Sequence, residues 1–304
     1  MKALLIFFQS FFRNLPPKWV QGANRFEKGL HLLLRSQIWI AAGAVWATFA
    51  TCLQTEKKIH LSLLWVIFFA TLLTYNLFIF WYEKKQGFPF FMLQKGEKMG
   101  KIILLSSTCA LSGLVFLMSA NQLLFLIHLG FLSIFYTLPL PLSSRWAIPP
   151  LRKIPYLKIF IVAYVWASST VIFPTLEENL WIDDPIILQL FFQRLLWIFA
   201  ITLPFDLRDA DSDSQQSLPT LAQHLGKKRV SFLVFFLFSF LILWEILAPI
   251  QIKFRAPQVI SFVFMLLFSI FAQHTQSQRI AHYHVLFLDG MISGYGILIS
   301  LTLF

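Results

Sequence analysis

Charged residues are scarce in this sequence. Asp, Glu, Lys and Arg make up 13% of its 304 residues, whereas soluble domains have roughly a quarter. Hydrophobic residues make up 58%, in blocks of about 17–22, the length at which a helix crosses a hydrocarbon core of about 30 Å. The composition excludes an ordinary soluble domain and predicts an all-α, polytopic membrane helical bundle.

Cysteine is also rare. Cys52 and Cys109 are the two cysteines of the sequence, and each lies in or at the end of an apolar run, with no CxxC pattern. We therefore interpret both as small membrane-helix residues rather than as a disulfide or a metal-binding pair.

Nine apolar segments are predicted to span the membrane. They cover roughly 37–53, 59–81, 102–119, 122–138, 157–174, 185–204, 230–249, 257–273 and 285–303. Residues 37–304 are thus predicted to form one transmembrane domain. Residues 1–36 mix Phe and Leu with scattered Lys and Arg, which predicts an interfacial segment on the cytoplasmic surface.

Basic charge differs strongly between the two sides of these nine segments. Twenty Lys and Arg lie on the side of the N-terminus and four on the other. The positive-inside rule then predicts a cytoplasmic N-terminus for this multi-pass protein, which we expect in a bacterial cytoplasmic (inner) membrane. The formal net charge of +11 is interpreted as a topology signal and a contact for membrane lipids, not as a nucleic-acid-binding surface.

The few acidic residues cluster in the segment 203–229. Four of the fourteen lie between Asp206 and Asp213, and carboxylates at the mouth of a membrane span are costly to keep without a purpose. If the preceding helix continues, Asp206, Asp209 and Asp213 share one face. Three carboxylates there favour a bound Mg²⁺ or Ca²⁺, whereas a solvated loop with incidental charge is the alternative.

Three other polar residues lie within apolar segments. Asn76 needs a partner there, either as a hydrogen bond between helices or in a polar cavity shared with the acidic segment. Arg194 and Glu245 are isolated charges that could pair with each other, extend to the membrane surface, or line a cavity.

Residues 203–229 resemble the second acidic motif of the UbiA superfamily of membrane prenyltransferases. That motif is a DxRDxxxD-like segment followed by Thr-Leu and by Leu-Gly with basic residues. The matching residues are Asp206, Arg208, Asp209, Asp213, Thr220, Leu221, Leu225, Gly226, Lys227 and Lys228. The sequence from Tyr136 to Pro139 is similar to the family's Tyr-Ser-x-Pro pattern. The resemblance covers roughly residues 30–304.

The family's first acidic motif, NDxxDxxxD at the end of its second helix, is largely absent. Aligned on Asn76, the three Asp positions are occupied by Leu77, Phe80 and Lys84. Half of the family's metal-ligand set is therefore absent from the positions where it is expected.

The resemblance implies a Mg²⁺-dependent transfer of a prenyl group from an isoprenoid diphosphate to a lipophilic acceptor. It implies catalytic and metal-binding roles for Asp206, Asp209 and Asp213. The expected substrate-binding residues are Asn76, Tyr136, Lys153, Arg208 and Lys227. The altered first motif favours an alternative, a non-catalytic isoprenoid- or lipid-binding membrane protein descended from this family.

Overall fold

The structure is a computed structural model. It describes residues 29, 32–34, 36–86, 97–141, 147–176, 184–210, 220–248, 254–274 and 281–302. The predicted interfacial segment at 1–36 therefore lies almost entirely outside the described residues.

Nine helices of eleven residues or more lie within the described ranges. They are α1 (Ile38–Gln54), α2 (Leu61–Gln86), α3 (Glu97–Leu114), α4 (Ala120–Thr137), α5 (Leu157–Ala167), α6 (Pro185–Arg208), α7 (Leu221–Leu247), α8 (Arg255–His274) and α9 (Ala281–Leu301). Each of the nine predicted apolar segments overlaps one of them. The predicted all-α architecture is confirmed, with one two-residue antiparallel pair, β1 (Leu140–Pro141) and β2 (Ala147–Ile148), between α4 and α5.

Six of the described helices, α2 to α7, are long and apolar enough to cross a membrane, α5 with its C-terminal extension. Helix α1 and the first part of α8 are shorter apolar helices. The chain is thus an integral multi-pass membrane protein, and nine spans remains a prediction.

Short irregular segments interrupt or extend three helices. A 3₁₀ turn (Val115–Leu117) follows α3, and another (Leu151–Lys153) precedes α5. Helix α5 continues through a π-helical turn (Ser168–Ile172) and one further α-turn (Phe173–Thr175). Helix α7 bends at Gly226, whose φ of 73° lies in the left-handed region that favours glycine.

The helices pack neighbour against neighbour into a ring. The order around it is α1, α2, α4, α5, α6, α7, α8 and α9, and α9 packs against α1, while α3 lies against α2. We call the end of the ring with the C-terminus of α6 the acidic end, after Asp206 and Asp209, and the other end the opposite end. Helix α6 runs antiparallel to α7, since Gln193 pairs with Glu245 and Ala210 with Gln223. Helix α1 runs parallel to α9, since Trp39, Gly43 and Trp46 lie beside Gly290, Ser293 and Gly296 in the same order.

The α1–α9 contact depends on small residues. Ala44, Ala47 and Ala50 of α1 are at most 2% exposed, and a Cβ added at Gly296 of α9 would overlap the Trp46 carbonyl group. Small residues let membrane helices approach closely. The resulting close packing stabilises the contact, because lipid provides no hydrophobic force that drives helices together.

A chain of buried hydrogen bonds links five helices towards the opposite end. The Tyr295 hydroxyl donates to Gln54 Oε1 at 3.0 Å, and Gln54 donates in turn to Gln258 Oε1. Gln258 Nε2 donates to Gln193 Oε1, and Gln193 Nε2 donates to Glu245 Oε2, both at 2.7 Å. All five side chains are at most 2% exposed. We call this series the amide chain; it connects α9, α1, α8, α6 and α7.

Arg194 and Glu245 each have other partners, and these do not include one another. The Arg194 guanidinium donates to the Ala47 carbonyl and to the hydroxyls of Thr51 and Thr170 at 2.9–3.2 Å. It also lies over the Tyr295 ring, 4.8 Å from its centroid. Glu245 Oε1 lies 3.8 Å from Arg255 Nε. The sequence left open a direct pairing of Arg194 with Glu245. The structure shows no such contact between these two described side chains.

Replacing Gly296 is expected to destabilise the bundle. Gly296→Ala forces the α1 and α9 backbones apart, and overpacking of this kind costs about 1–3 kcal/mol. Thermal unfolding of purified protein in detergent measures the effect. Gly294→Ala is the matched control on the same helix, since nothing lies within 4 Å of a Cβ added there. Equal melting temperatures of the two variants would contradict the close α1–α9 contact.

Removing the central amide of the amide chain is also expected to destabilise the protein. Gln258→Leu leaves the Gln54 donor and the Gln193 acceptor buried without partners, at about 1–3 kcal/mol for each group. Gln189→Leu is the control, because Gln189 is 6% exposed and its Nε2 makes no hydrogen bond. If Gln189→Leu lowers the melting temperature as much as Gln258→Leu, the amide chain does not contribute the expected stability.

Candidate functional site

The C-terminus of α6 brings the first two predicted carboxylates to the acidic end. Asp206 lies two residues before the last residue of the helix and is 2% exposed. Helix α6 ends at Arg208, and Asp209 caps it through an amide that donates to the Phe205 carbonyl at 3.0 Å. The predicted one-face arrangement required this helix to continue, whereas α6 ends before Asp209. Asp213 lies outside the described residues.

Asp206 forms an ion pair with a lysine of the neighbouring helix. Lys158 Nζ lies 2.8 Å from Asp206 Oδ1, and their side chains are 18% and 3% exposed. Lys158 is the second residue of α5, so the pair joins the beginning of α5 to the end of α6. A charge this deeply buried needs such a partner, since its desolvation is otherwise uncompensated.

Asp209 is paired within its own segment. Both of its carboxylate oxygens accept from Arg208, Oδ1 from Nε at 2.7 Å and Oδ2 from Nη2 at 2.9 Å. The pair is more open than that of Asp206, with side chains 24% and 38% exposed.

Aromatic and cationic side chains occupy the wall formed by α2 and α4. The Arg152 guanidinium carbon lies 5.2 Å from the centroid of the Phe78 ring, within the range of a cation–π contact. Arg152 is 7% exposed. The ring centroid of Tyr136, a predicted substrate contact, lies 6.5 Å from that of Phe78. Trp166 Nε1 donates to the Tyr75 hydroxyl at 3.2 Å, which extends this aromatic wall towards α5.

The other predicted substrate-binding residues lie in different surroundings. Asn76 is 5% exposed, and its Nδ2 donates to the carbonyls of Leu72 and Ser36 at 2.9 and 3.1 Å. These bonds agree with the structural alternative for Asn76 and leave Oδ1 as its possible ligand atom. Lys153 is exposed on the 3₁₀ turn before α5, and Lys227 is half-buried just after the bend of α7.

The start of α7 anchors the far end of the acidic segment. Thr220 caps the helix, its Oγ1 accepting from the Gln223 amide at 3.3 Å, and the Gln223 side chain accepts from the Thr220 amide at 3.1 Å. Gln223 Nε2 also donates to the Ala210 carbonyl at 2.7 Å. The Thr-Leu part of the sequence motif is thereby explained as a helix cap, and Gln223 of the capped turn also joins α7 to Ala210.

The donor chemistry is compatible with one Mg²⁺. Mg²⁺ in proteins is commonly held by one or two carboxylates together with phosphate oxygens of a substrate, and Asp206 and Asp209 are two such groups on consecutive turns. Within the described part of the chain, no three His, Cys, Asp or Glu side chains gather as a metal site. A metal bound here would thus need oxygens from the substrate or from the segment 211–219.

Lys158 is the functional candidate that sequence reasoning did not single out. It belongs to the basic segment between α4 and α5, from which Lys153 was chosen instead. Its signal was available, because Lys158 is the one lysine of that segment that follows the last proline, Pro155, and so lies within the helix.

Comparison with protein-family models and with curated proteins gave no match to this sequence. Solved structures do match. A UbiA homologue from Aeropyrum pernix K1, in its apo form, superposes with a TM-score of 0.62 at 10% identity, covering 87% of this chain and 98% of that chain. A UbiA homologue from Archaeoglobus fulgidus bound to GPP and Mg²⁺ superposes with a TM-score of 0.54 at 12% identity, covering 89% and 99%.

A structure described as giving insights into digeranylgeranylglyceryl phosphate synthase in membranes also matches. It has a TM-score of 0.52 and 15% identity, and covers 90% of this chain and 98% of that chain. These likenesses extend over nearly the whole of each known structure and confirm the predicted UbiA-like architecture. The chain has the fold of the UbiA homologues.

Proposed function

We propose that this protein is a membrane prenyltransferase that transfers a prenyl group from an isoprenoid diphosphate to a lipophilic acceptor, with Mg²⁺ as cofactor. The observation that carries the proposal is the buried Asp206 at the end of α6, next to Asp209, Lys158 and Arg208. This set combines oxygen ligands for a metal with cations for a diphosphate. The GPP- and Mg²⁺-bound homologue of the same fold adds support.

The proposed reaction breaks the bond between the first prenyl carbon and the diphosphate oxygen. The electron pair leaves with diphosphate, the acceptor forms a new bond to the prenyl carbon, and the acceptor loses a proton. A bound Mg²⁺ supplies charge neutralisation on the leaving diphosphate. Asp206 and Asp209 are the proposed ligands of the metal, with Asp213 as a third.

The chain's own cations and aromatic rings have distinct proposed roles in this reaction. Lys158, Arg208 and, beyond them, Lys153 and Lys227 are suited to bind diphosphate oxygens as negative charge develops there. Phe78, Tyr136 and Trp166 supply an apolar surface next to these charges. Such a surface accommodates a prenyl chain and keeps water away from an allylic cation.

A second function is favoured by one observation. Leu77, Phe80 and Lys84 stand where the first motif has its carboxylates, and the neighbouring Phe78 is covered by the Arg152 guanidinium. A protein that binds an isoprenoid diphosphate without consuming it needs the cations and the apolar wall but not a second metal site. Both functions share the binding step and differ in turnover.

The proposed orientation has a cytoplasmic N-terminus in a bacterial cytoplasmic membrane. Twenty Lys and Arg on the N-terminal side of the predicted spans, against four on the other, support it. The acidic end then opens to the cytoplasm. Residues 1–36 are proposed to lie on that surface, where membrane lipids are further contacts.

Binding of farnesyl or geranylgeranyl diphosphate to purified protein tests the shared step. We expect binding that requires Mg²⁺ and that falls about tenfold or more in Asp209→Asn, since a charge-assisted contact to a metal or to its ligands is lost. Isothermal titration calorimetry measures the affinity. Glu56→Gln, which removes an exposed carboxylate at the opposite end, is the control and should bind as the wild type does.

Absence of binding by folded wild-type protein in the presence of Mg²⁺ would overturn both functions. If the diphosphate binds, release of inorganic pyrophosphate over time distinguishes them. Release that depends on an added lipophilic acceptor identifies the transferase. Binding with no release across an acceptor panel identifies the non-catalytic protein.

A further inference from the structure

The ion pair between Lys158 and Asp206 engages one oxygen of a carboxylate that is a proposed ligand of the metal. Lys158 Nζ lies 2.8 Å from Asp206 Oδ1, and the Asp206 side chain is only 3% exposed. An ammonium group and a divalent cation compete for the same carboxylate, because both bind to the negative charge and the oxygen lone pairs of that carboxylate. Metal binding at Asp206 therefore has to displace or share this contact.

Lys158 can bind another anionic group after it separates from Asp206. Its side chain is 18% exposed, and a lysine ammonium is a compact charge with three donors on a flexible stem. A diphosphate bound at the acidic end offers phosphate oxygens to the same ammonium. The loss of one charge-assisted contact is thereby offset by another, and the lysine is not left buried without a partner.

The Arg208–Asp209 pair differs in the features that matter for this exchange. It joins consecutive residues, and its side chains are 24% and 38% exposed, so water screens it and can replace it at low cost. The Lys158–Asp206 pair is the more buried of the two and joins two helices. Control of metal access is therefore expected from Lys158.

We infer that Lys158 is a positioning residue with two alternative partners. It forms an ion pair with Asp206 when no ligand is present, and it binds the diphosphate when metal and diphosphate bind together. The inference rests on the proposed function. In the free protein, Lys158 neutralises Asp206 and weakens the binding of a divalent cation alone. In the complex, Lys158 binds a phosphate oxygen and Asp206 is released to the metal. Metal and diphosphate thus favour each other's binding through one lysine.

One substitution should then move two affinities in opposite directions. Lys158→Met keeps the length of the side chain and removes its charge. The affinity for Mn²⁺ alone, measured by electron paramagnetic resonance of the free ion, should rise by about 5- to 150-fold, the range of coupling between linked sites. The affinity for the Mg²⁺ complex of pyrophosphate, measured by calorimetry, should fall.

Two further variants and one control complete the experiment. Lys158→Arg should weaken the binding of Mn²⁺ alone, because a guanidinium binds a carboxylate through two hydrogen bonds. Lys158→Met combined with Asp206→Asn should lose the gain in Mn²⁺ affinity. Lys58→Met removes an exposed lysine at the opposite end and should leave both affinities unchanged, which excludes an effect of net charge.

The outcomes separate this inference from the proposed function. Failure of the wild type to bind the Mg²⁺ complex of farnesyl diphosphate as well as that of pyrophosphate overturns the proposed function. If the wild type binds either complex but Lys158→Met binds Mn²⁺ no more tightly than Lys58→Met does, the role of Lys158 alone is overturned. Should Lys158→Met not fold, an unchanged Mn²⁺ affinity in Lys158→Arg overturns it instead.

Discussion

The structure depends on one constraint, that the buried side chains Gln193, Arg194 and Asp206 of α6 must find partners in neighbouring helices rather than in water. Within the hydrocarbon core an unpaired polar group costs several kcal/mol by order of magnitude. Gln193, Arg194 and Asp206 are each at most 2% exposed. Their partners come from α8 and α7, from α1 and the π-helical turn, and from α5 respectively. Helix α6 is thereby fixed in rotation and depth by contacts on both sides.

The constraint is met by different kinds of contact around Arg194 and at Asp206. Arg194 and Asp206 are separated by about 18 Å along the helix axis, at 1.5 Å per residue. Around Arg194 the donors and acceptors form a series that runs in one direction, from Tyr295 to the carboxylate of Glu245. Each of the three amides both accepts and donates, so removing any one of them leaves two other members without one hydrogen-bond partner each. At the acidic end the contacts are ion pairs, which can be exchanged for other charges.

This difference is the physical reason to assign function to the acidic end. A chain of neutral amides has nothing to offer a charged ligand, and its bonds stabilise the helix arrangement. A buried carboxylate paired with a flexible lysine can instead receive a cation while the lysine receives an anion. A site for a metal and a diphosphate requires groups of both signs in this relation.

Much of the fold could be predicted from the sequence, since apolar length alone identifies membrane helices. The acidic motif likewise identified the end of α6. The partners could not be predicted, because they depend on how each helix is rotated against the next. In the sequence Arg194 and Glu245 look like a matching pair, yet Glu245 accepts from Gln193 and Arg194 donates to Thr51 and Thr170. Lys153 and Lys158 are five residues apart in one basic segment, and only their positions on the turn and on α5 distinguish them.

Helix α2 differs in charge from the family's first acidic motif. Leu77, Phe80 and Lys84 stand where that motif has its carboxylates, and the neighbouring Phe78 lies beneath the Arg152 guanidinium. Negative charge is thus absent from these three positions, and an aromatic face that attracts a cation lies next to them. With fewer carboxylates, the acidic end needs less positive charge from metal ions to accept an anionic ligand. The cations of the chain, Lys158 above all, then take a larger share of that task.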